Sequence, residues 1–118
     1  MNFRELQEKH APWVERNFPN AEKWEPLVGA IEELGEMCHA FLKLHQGIRT
    51  NEDHQAKMCD AVGDTIVYLA HFCTMNNIDM QSAVEDAWAE VSKRDWVNHK
   101  GNGKDINPEH LTEVGRGM

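Results

Sequence analysis

Apolar residues recur at intervals of three and four along two long stretches of this chain, the spacing that lines up one side of an α-helix. From about residue 24 to 44, Leu27, Val28, Ile31, Leu34, Cys38, Phe41 and Leu42 follow it, and Gly47 supplies a stop. At about 100° per residue these side chains fill one arc, while Glu32, Glu33, Glu36 and Lys43 fall opposite. Gly29 and Ala40 lie among the carboxylates and are small enough for another element or a ligand to come close. From about residue 56 to 75, Met58, Val62, Ile66, Leu69, Phe72 and Cys73 form a second core stripe. Val67 and Tyr68 share the opposite side with Asp60, Asp64 and His71, so this helix is expected to be buried on most sides.

Two weaker helical segments flank these. Residues 3–18 carry Pro12 in their middle, which predicts a bend or a split into two short helices. Residues 79–97 open on Asp79 as N-cap and run an apolar stripe through Val84, Ala87, Trp88 and Val91, closing on Lys93 to Trp96. No alternating strand pattern and no internal repeat is present. The expectation is an all-α fold, a four- to five-helix bundle over residues 1–97 with its motif-bearing part at 24–97. Residues 98–118, rich in Gly, Asn and charge, read as a peripheral, partly disordered tail with room for one short helix near 108–114. The third helix is apolar over more of its girth than one neighbour can cover, so oligomerisation is expected to complete the core.

At 118 residues there is material for one domain. The formal net charge of −8 argues against a nucleic-acid groove or an anionic-membrane surface. The charged N-terminal segment lacks a signal core, and no run approaches the roughly 20 apolar residues of a membrane span. Cys38, Cys59 and Cys73 are odd in number and lack CxxC spacing, which fits small buried thiols in a reducing cytoplasm. Trp24, Trp88 and Trp96 read as core residues.

Candidate chemistry comes from two acidic helical segments, IEELGE at residues 31–36 and DAVGD at residues 60–64. Carboxylates three or four apart share a helix face. On otherwise apolar helices they are costly unless something positive binds them, and a hard divalent cation with oxygen ligands is the natural candidate. Two antiparallel helices could aim Glu32, Glu33, Glu36, Asp60 and Asp64 into one pocket. Glu36 and His39 form one Glu-x-x-His pair, but the second pair of a carboxylate-bridged di-iron or di-manganese bundle is missing, and His39 reads as a surface or packing residue. His71 is either a partner of a ligand or a buried, hydrogen-bonded histidine. No nucleophile motif is present. Carboxylates and metal alone suit activation of water against a phosphoryl group, with Lys43 and Arg94 as candidate phosphate contacts.

Residues 27–96 resemble the MazG-like family of all-α nucleoside triphosphate pyrophosphohydrolases. Glu32-Glu33-Leu34-Gly35-Glu36 matches that family's Glu-Glu-x-x-Glu segment. Asp64 matches the closing acid of its Glu-x-x-Asp segment, but the position three before it is Ala61, with Asp60 one residue earlier. The resemblance implies Mg²⁺- or Mn²⁺-dependent cleavage of NTP or dNTP to the monophosphate and pyrophosphate, in a homodimer or homotetramer. It further implies Glu33, Glu36 and Asp64 as metal ligands, with Asp60 replacing the missing acid. Glu32 would be a ligand or a water-orienting base, and Glu32 and Glu33 the catalytic carboxylates. A non-catalytic helical dimerisation module is the remaining alternative.

Overall fold

The structure is a computed structural model and describes residues 1–104. Four α-helices and no strand are present among them: α1 Phe3–Asn17, α2 Glu25–Gln46, α3 His54–Met75 and α4 Met80–Val91. The protein is all-α. The chain divides into two compact units, Met1–Gln81 and Ser82–Met118.

Local chemistry sets the helix ends of the first unit. Asn2 starts α1 by accepting the Glu5 N–H at 2.8 Å, and Asp53 starts α3 by accepting that of Ala56 at 3.0 Å. Helix α2 stops at Gly47, whose φ of 69° lets the Gly47 and Ile48 N–H groups turn back to Leu44 and Lys43, each at 3.2 Å. Pro12 does not divide α1, which runs unbroken through it. The missing N–H removes one hydrogen bond, and Val14, buried two residues on, holds the last turn down.

Helix α3 is central, with α1 and α2 both packed against it. Toward α1, Ala70, Cys73 and Met80 form a small cluster packed by Phe3, Leu6, Ile66 and Leu69. Gln7 stitches the same region: its Nε2 donates to the Ile78 carbonyl at 2.7 Å, and its Oε1 accepts the Met80 N–H at 3.0 Å. Gln81 Oε1 accepts the Phe3 N–H at 3.0 Å, and Arg4 pairs with Asp79 at 3.3 Å.

The seam between α2 and α3 departs from expectation. On α2 the buried residues are Pro26, Ala30 and Ala40, with Glu33 and Met37 half-buried between them. They sit four, three, four and three residues apart, so they form one continuous stripe. Ala61 and Thr65 are buried on α3. Small side chains let the two helices approach closely, and that seam is the acid-bearing side of α2. The expected core stripe lies open instead: Leu27, Val28, Ile31, Leu34, Phe41 and Leu42 are exposed, Ile31 and Phe41 at 61 %. Val62 of α3 is exposed too. Two smaller expectations also fail. Of the cysteines only Cys73 is buried, and Trp24, Trp88 and Trp96 are exposed rather than in the core.

In the second unit α4 ends at Val91, six residues short of the expected boundary. Asp95 accounts for the turn that follows, its carboxylate accepting the N–H groups of Val97 and Asn98 at 3.0 Å each. The loop closes on itself where the Asp95 N–H donates to Gly103 and the Gly103 N–H to His99, both at 2.7 Å. Asn102 and Gly103 are buried there. The remainder of the expected tail, with its short helix near 108–114, lies outside the described residues.

Candidate metal centre

Glu33 occupies the interhelical stripe of α2, between Ala30 and Met37. Glu32 and Glu36, one residue before and one turn after, are exposed at its rim. Oxygens of all three carboxylates come within 4.8 Å of one another. No histidine joins this group among the described residues, and His39 is exposed. Across the seam, Asp64 of α3 is exposed yet close enough to act on Glu33.

The electrostatics of Glu33 follow from this placement. Its carboxyl is pushed above the usual glutamate range, first by loss of hydration, then by a hydrogen bond with Glu36 and the negative charges of Glu36, Asp64 and Glu32. Its Oε2 is shielded from solvent and has no hydrogen-bond partner. Buried polar atoms are nearly always paired, and a buried anionic oxygen pays heavily when it is not.

Glu32, Glu33 and Asp64 open onto a cleft of about 710 Å³ formed by α1, α2, α3 and the segment before α2. Trp13, Phe18, Trp24 and Tyr68 supply aromatic surface, and His10 and His71 line the same space. That size suits a small organic ligand. His10 and Trp13 lie 5.6 Å apart between ring centroids, His10 and His71 also 5.6 Å, and Trp13 and Phe18 6.0 Å. Burial holds both imidazoles below their ordinary pKa; His71 lowers His10 further, while Glu25 partly offsets the effect at His71. His71 is thus a buried wall of the cleft. Sequence reasoning passed over His10, although three and seven residues separate it from Trp13 and Asn17 on an α1 face whose role periodicity does not reveal.

Gly29 gives this arrangement its closeness. A Cβ at Gly29 would collide with the Tyr68 ring, 2.6 Å from Cδ1 and 2.7 Å from Cζ. Only glycine lets that ring lie against the backbone of α2.

The other candidates fall outside the cluster. Asp60 is exposed and is not among the residues lining the cleft. Lys43 is half-buried, with its Nζ 3.3 Å from Gln46 Oε1, and does not line the cleft either. Arg94 belongs to the second unit. Among the described residues no helix is long and apolar enough to cross a membrane. No protein-family model, no curated protein and no solved structure matches this chain.

Proposed function

We propose that the protein is a metal-dependent nucleoside triphosphate pyrophosphohydrolase, converting NTP or dNTP and water to the monophosphate and pyrophosphate. The observation that carries the reading is the orphaned, solvent-shielded Oε2 of Glu33 within a group of acids. A carboxylate so placed lacks a positive partner, and a hard cation with oxygen ligands fits that donor set. Glu33, Glu36 and Asp64 would hold the ion. Bound there, Mg²⁺ or Mn²⁺ supplies neutralisation of charge on phosphate oxygens and acidification of a water.

The chain's own residues account for the rest. The attacking water gives up one proton as its oxygen bonds to phosphorus and the anhydride oxygen leaves with pyrophosphate. Glu32, exposed at the rim of the group, and Glu33 are the carboxylates assigned to receive that proton. The aromatic walls of the cleft offer flat surfaces for a nucleoside. Lys43 stays as a proposed phosphate contact on its charge alone.

The exposed apolar stripe of α2 supports a homodimer or homotetramer. Contiguous apolar surface of this kind marks an interaction face, and its continuity along one helix suits a second copy of that helix.

The deciding experiment is product analysis across a panel of NTPs and dNTPs, with and without Mg²⁺. Equimolar monophosphate and pyrophosphate, formed only with the metal, are expected. Orthophosphate in their place, or no turnover of any nucleotide, would refute the proposal.

A further inference from the structure

Helix α1 is held unevenly along its length. Its first two turns carry the ties: Phe3 and Leu6 pack on the Ala70, Cys73 and Met80 cluster, and Gln7 bonds to Ile78 and Met80. The Phe3 N–H donates to Gln81, and Arg4 pairs with Asp79. Among the described residues no hydrogen bond or ion pair joins residues 8–17 to α2 or α3. Pro12 lies between the two halves and has no N–H, so the Glu8 carbonyl lacks its helical donor. A gap of that kind is where a helix bends.

The second half of α1 rests on His71. The His71 ring lies 5.6 Å from that of His10, and Trp13, Val14 and Phe18 continue the same wall of the cleft. His71 is 8 % exposed, and His10 Nδ1 is shielded from solvent without a hydrogen-bond partner. Both rings suit this place only when neutral. A charged imidazole carries N–H at both nitrogens, so charged His10 would bury a donor with nothing to accept it. Beside a charged His71 it would also meet a second cation.

The surrounding charges set the order of these events. Glu25 of α2 favours a proton on His71, which therefore charges first and stays on α3. Glu32 and Glu33 of α2, with Asp64 and Tyr68 of α3, line the same cleft, yet the charge that acts on His10 is that of His71. Glu8, Lys9, Glu15 and Arg16 of α1 itself are exposed.

We propose that residues 10–18 form a pH-sensitive lid on the cleft, held shut by the neutral His10–His71 contact. Protonation of both rings lifts the lid about the gap at Pro12, while the first two turns of α1 stay anchored. Lifting separates the two charges and lets water reach His10 Nδ1. The device works whatever the cleft binds and does not rest on the pyrophosphohydrolase reading. Because the closed state favours both neutral forms, the lid is shut above pH 6.5 and opens as pH falls through the lowered closed-state values. Across that window two protons multiply the open population by up to about a hundredfold per pH unit, and one proton by up to about tenfold.

Amide hydrogen exchange of the metal-free full-length chain, followed by NMR at one chain concentration and corrected for the intrinsic effect of pH, tests this. Residues 13–18 should exchange through an opening that barely responds to low urea, the mark of local rather than global unfolding. That opening should become about tenfold more populated between pH 7.5 and 5.5, and Gln7 and Glu8 should not share it. His10→Gln and His71→Gln should each reduce the change to about threefold or less, because one titrating ring remains. Two variants guard against one of them failing to fold. Glu33→Gln, which removes another titrating group of the cleft, should leave the change intact. An opening of residues 13–18 that is independent of pH overturns the lid. So does one with the urea dependence of residues 67–73, one that keeps its full pH effect in both histidine variants, or one that loses it in Glu33→Gln.

Discussion

Gly29→Ala probes the seam that positions the site. The new methyl would sit 2.6 to 2.7 Å from Tyr68 Cδ1 and Cζ, where ordinary contacts begin at 3.4 Å. The ring must retreat by about 0.7 Å or more, and as a rigid plate it moves as a whole. Overpacking of that kind costs about 1–3 kcal/mol. Against it, alanine in a helix interior is favoured over glycine by about 1 kcal/mol. Gly35→Ala makes the same exchange on the same helix, with nothing within 4 Å of the added carbon. Helix propensity cancels in the comparison, so Gly35→Ala should exceed Gly29→Ala in stability by the collision alone, about 1–3 kcal/mol. At about 4–8 °C per kcal/mol for a domain near this size, thermal unfolding of metal-free protein at one fixed chain concentration resolves the gap. Under the proposed reaction, Tyr68 displaced into the cleft should also raise KM for the nucleotide more than it lowers kcat. Equal Tm values for the two variants would refute the close approach of Tyr68 to α2.

Three further outcomes follow from the same geometry. His10 and His71 are held below their usual pKa, so the folded state favours their neutral forms. Their contribution is fully present above pH 6.5 and is lost as pH falls from there through the lowered folded values. Urea midpoints should therefore drop between pH 7.5 and 5.5, and a His10→Gln protein that keeps the whole slope would contradict this. Glu33→Gln should raise the Tm of metal-free protein at pH 7, because the ionised carboxylate is the disfavoured form in the fold, and should abolish stabilisation by added Mg²⁺. A variant that melts lower and still responds to Mg²⁺ would make Glu33 structural. Sedimentation should find an oligomer at micromolar concentration, and lysine at both Ile31 and Phe41 should convert it to monomer; a wild-type monomer would leave the open stripe without an occupant.

Periodicity located the four helices because a 3.6-residue repeat of apolar side chains is a property of the chain alone. Their ends depend on individual atoms. Asp53 and Gly47 carry recognisable capping chemistry, whereas the end of α4 depends on the Asp95 carboxylate meeting two backbone N–H groups, a side-chain turn that competes with helix. Pro12 shows the opposite case. Its local cost is plain in the sequence, while the burial of Val14 that helps α1 bear it belongs to tertiary structure.

The reversed face of α2 explains why the acids were legible and their surroundings were not. A hydrophobic pattern weights large apolar residues, and by that measure the side bearing Leu27, Ile31, Leu34 and Phe41 should meet α3. Packing within one chain also weights size. Pro26, Ala30 and Ala40 offer a groove shallow enough for α3 to approach, and Gly29 admits the Tyr68 ring. The helix therefore turns its small side inward and carries Glu33 with it, one residue from Glu32 and three from Glu36. The same rotation leaves the large apolar side open and shields a carboxylate oxygen that has no partner. Partial burial of Glu33 and exposure of Ile31 are thus two results of one choice of face. If a second chain covers the open stripe, its contribution must be large enough to hold that rotation against the cost of an unpaired acid. Metal at Glu33 would lower the same cost from the other side. Mg²⁺ and self-association should therefore strengthen each other: a metal-loaded protein should dissociate at a lower concentration than the metal-free one, by the reciprocity of linked equilibria. Sedimentation with and without Mg²⁺ measures this coupling, and an unchanged dissociation constant would show that the acid cluster and the apolar face are independent.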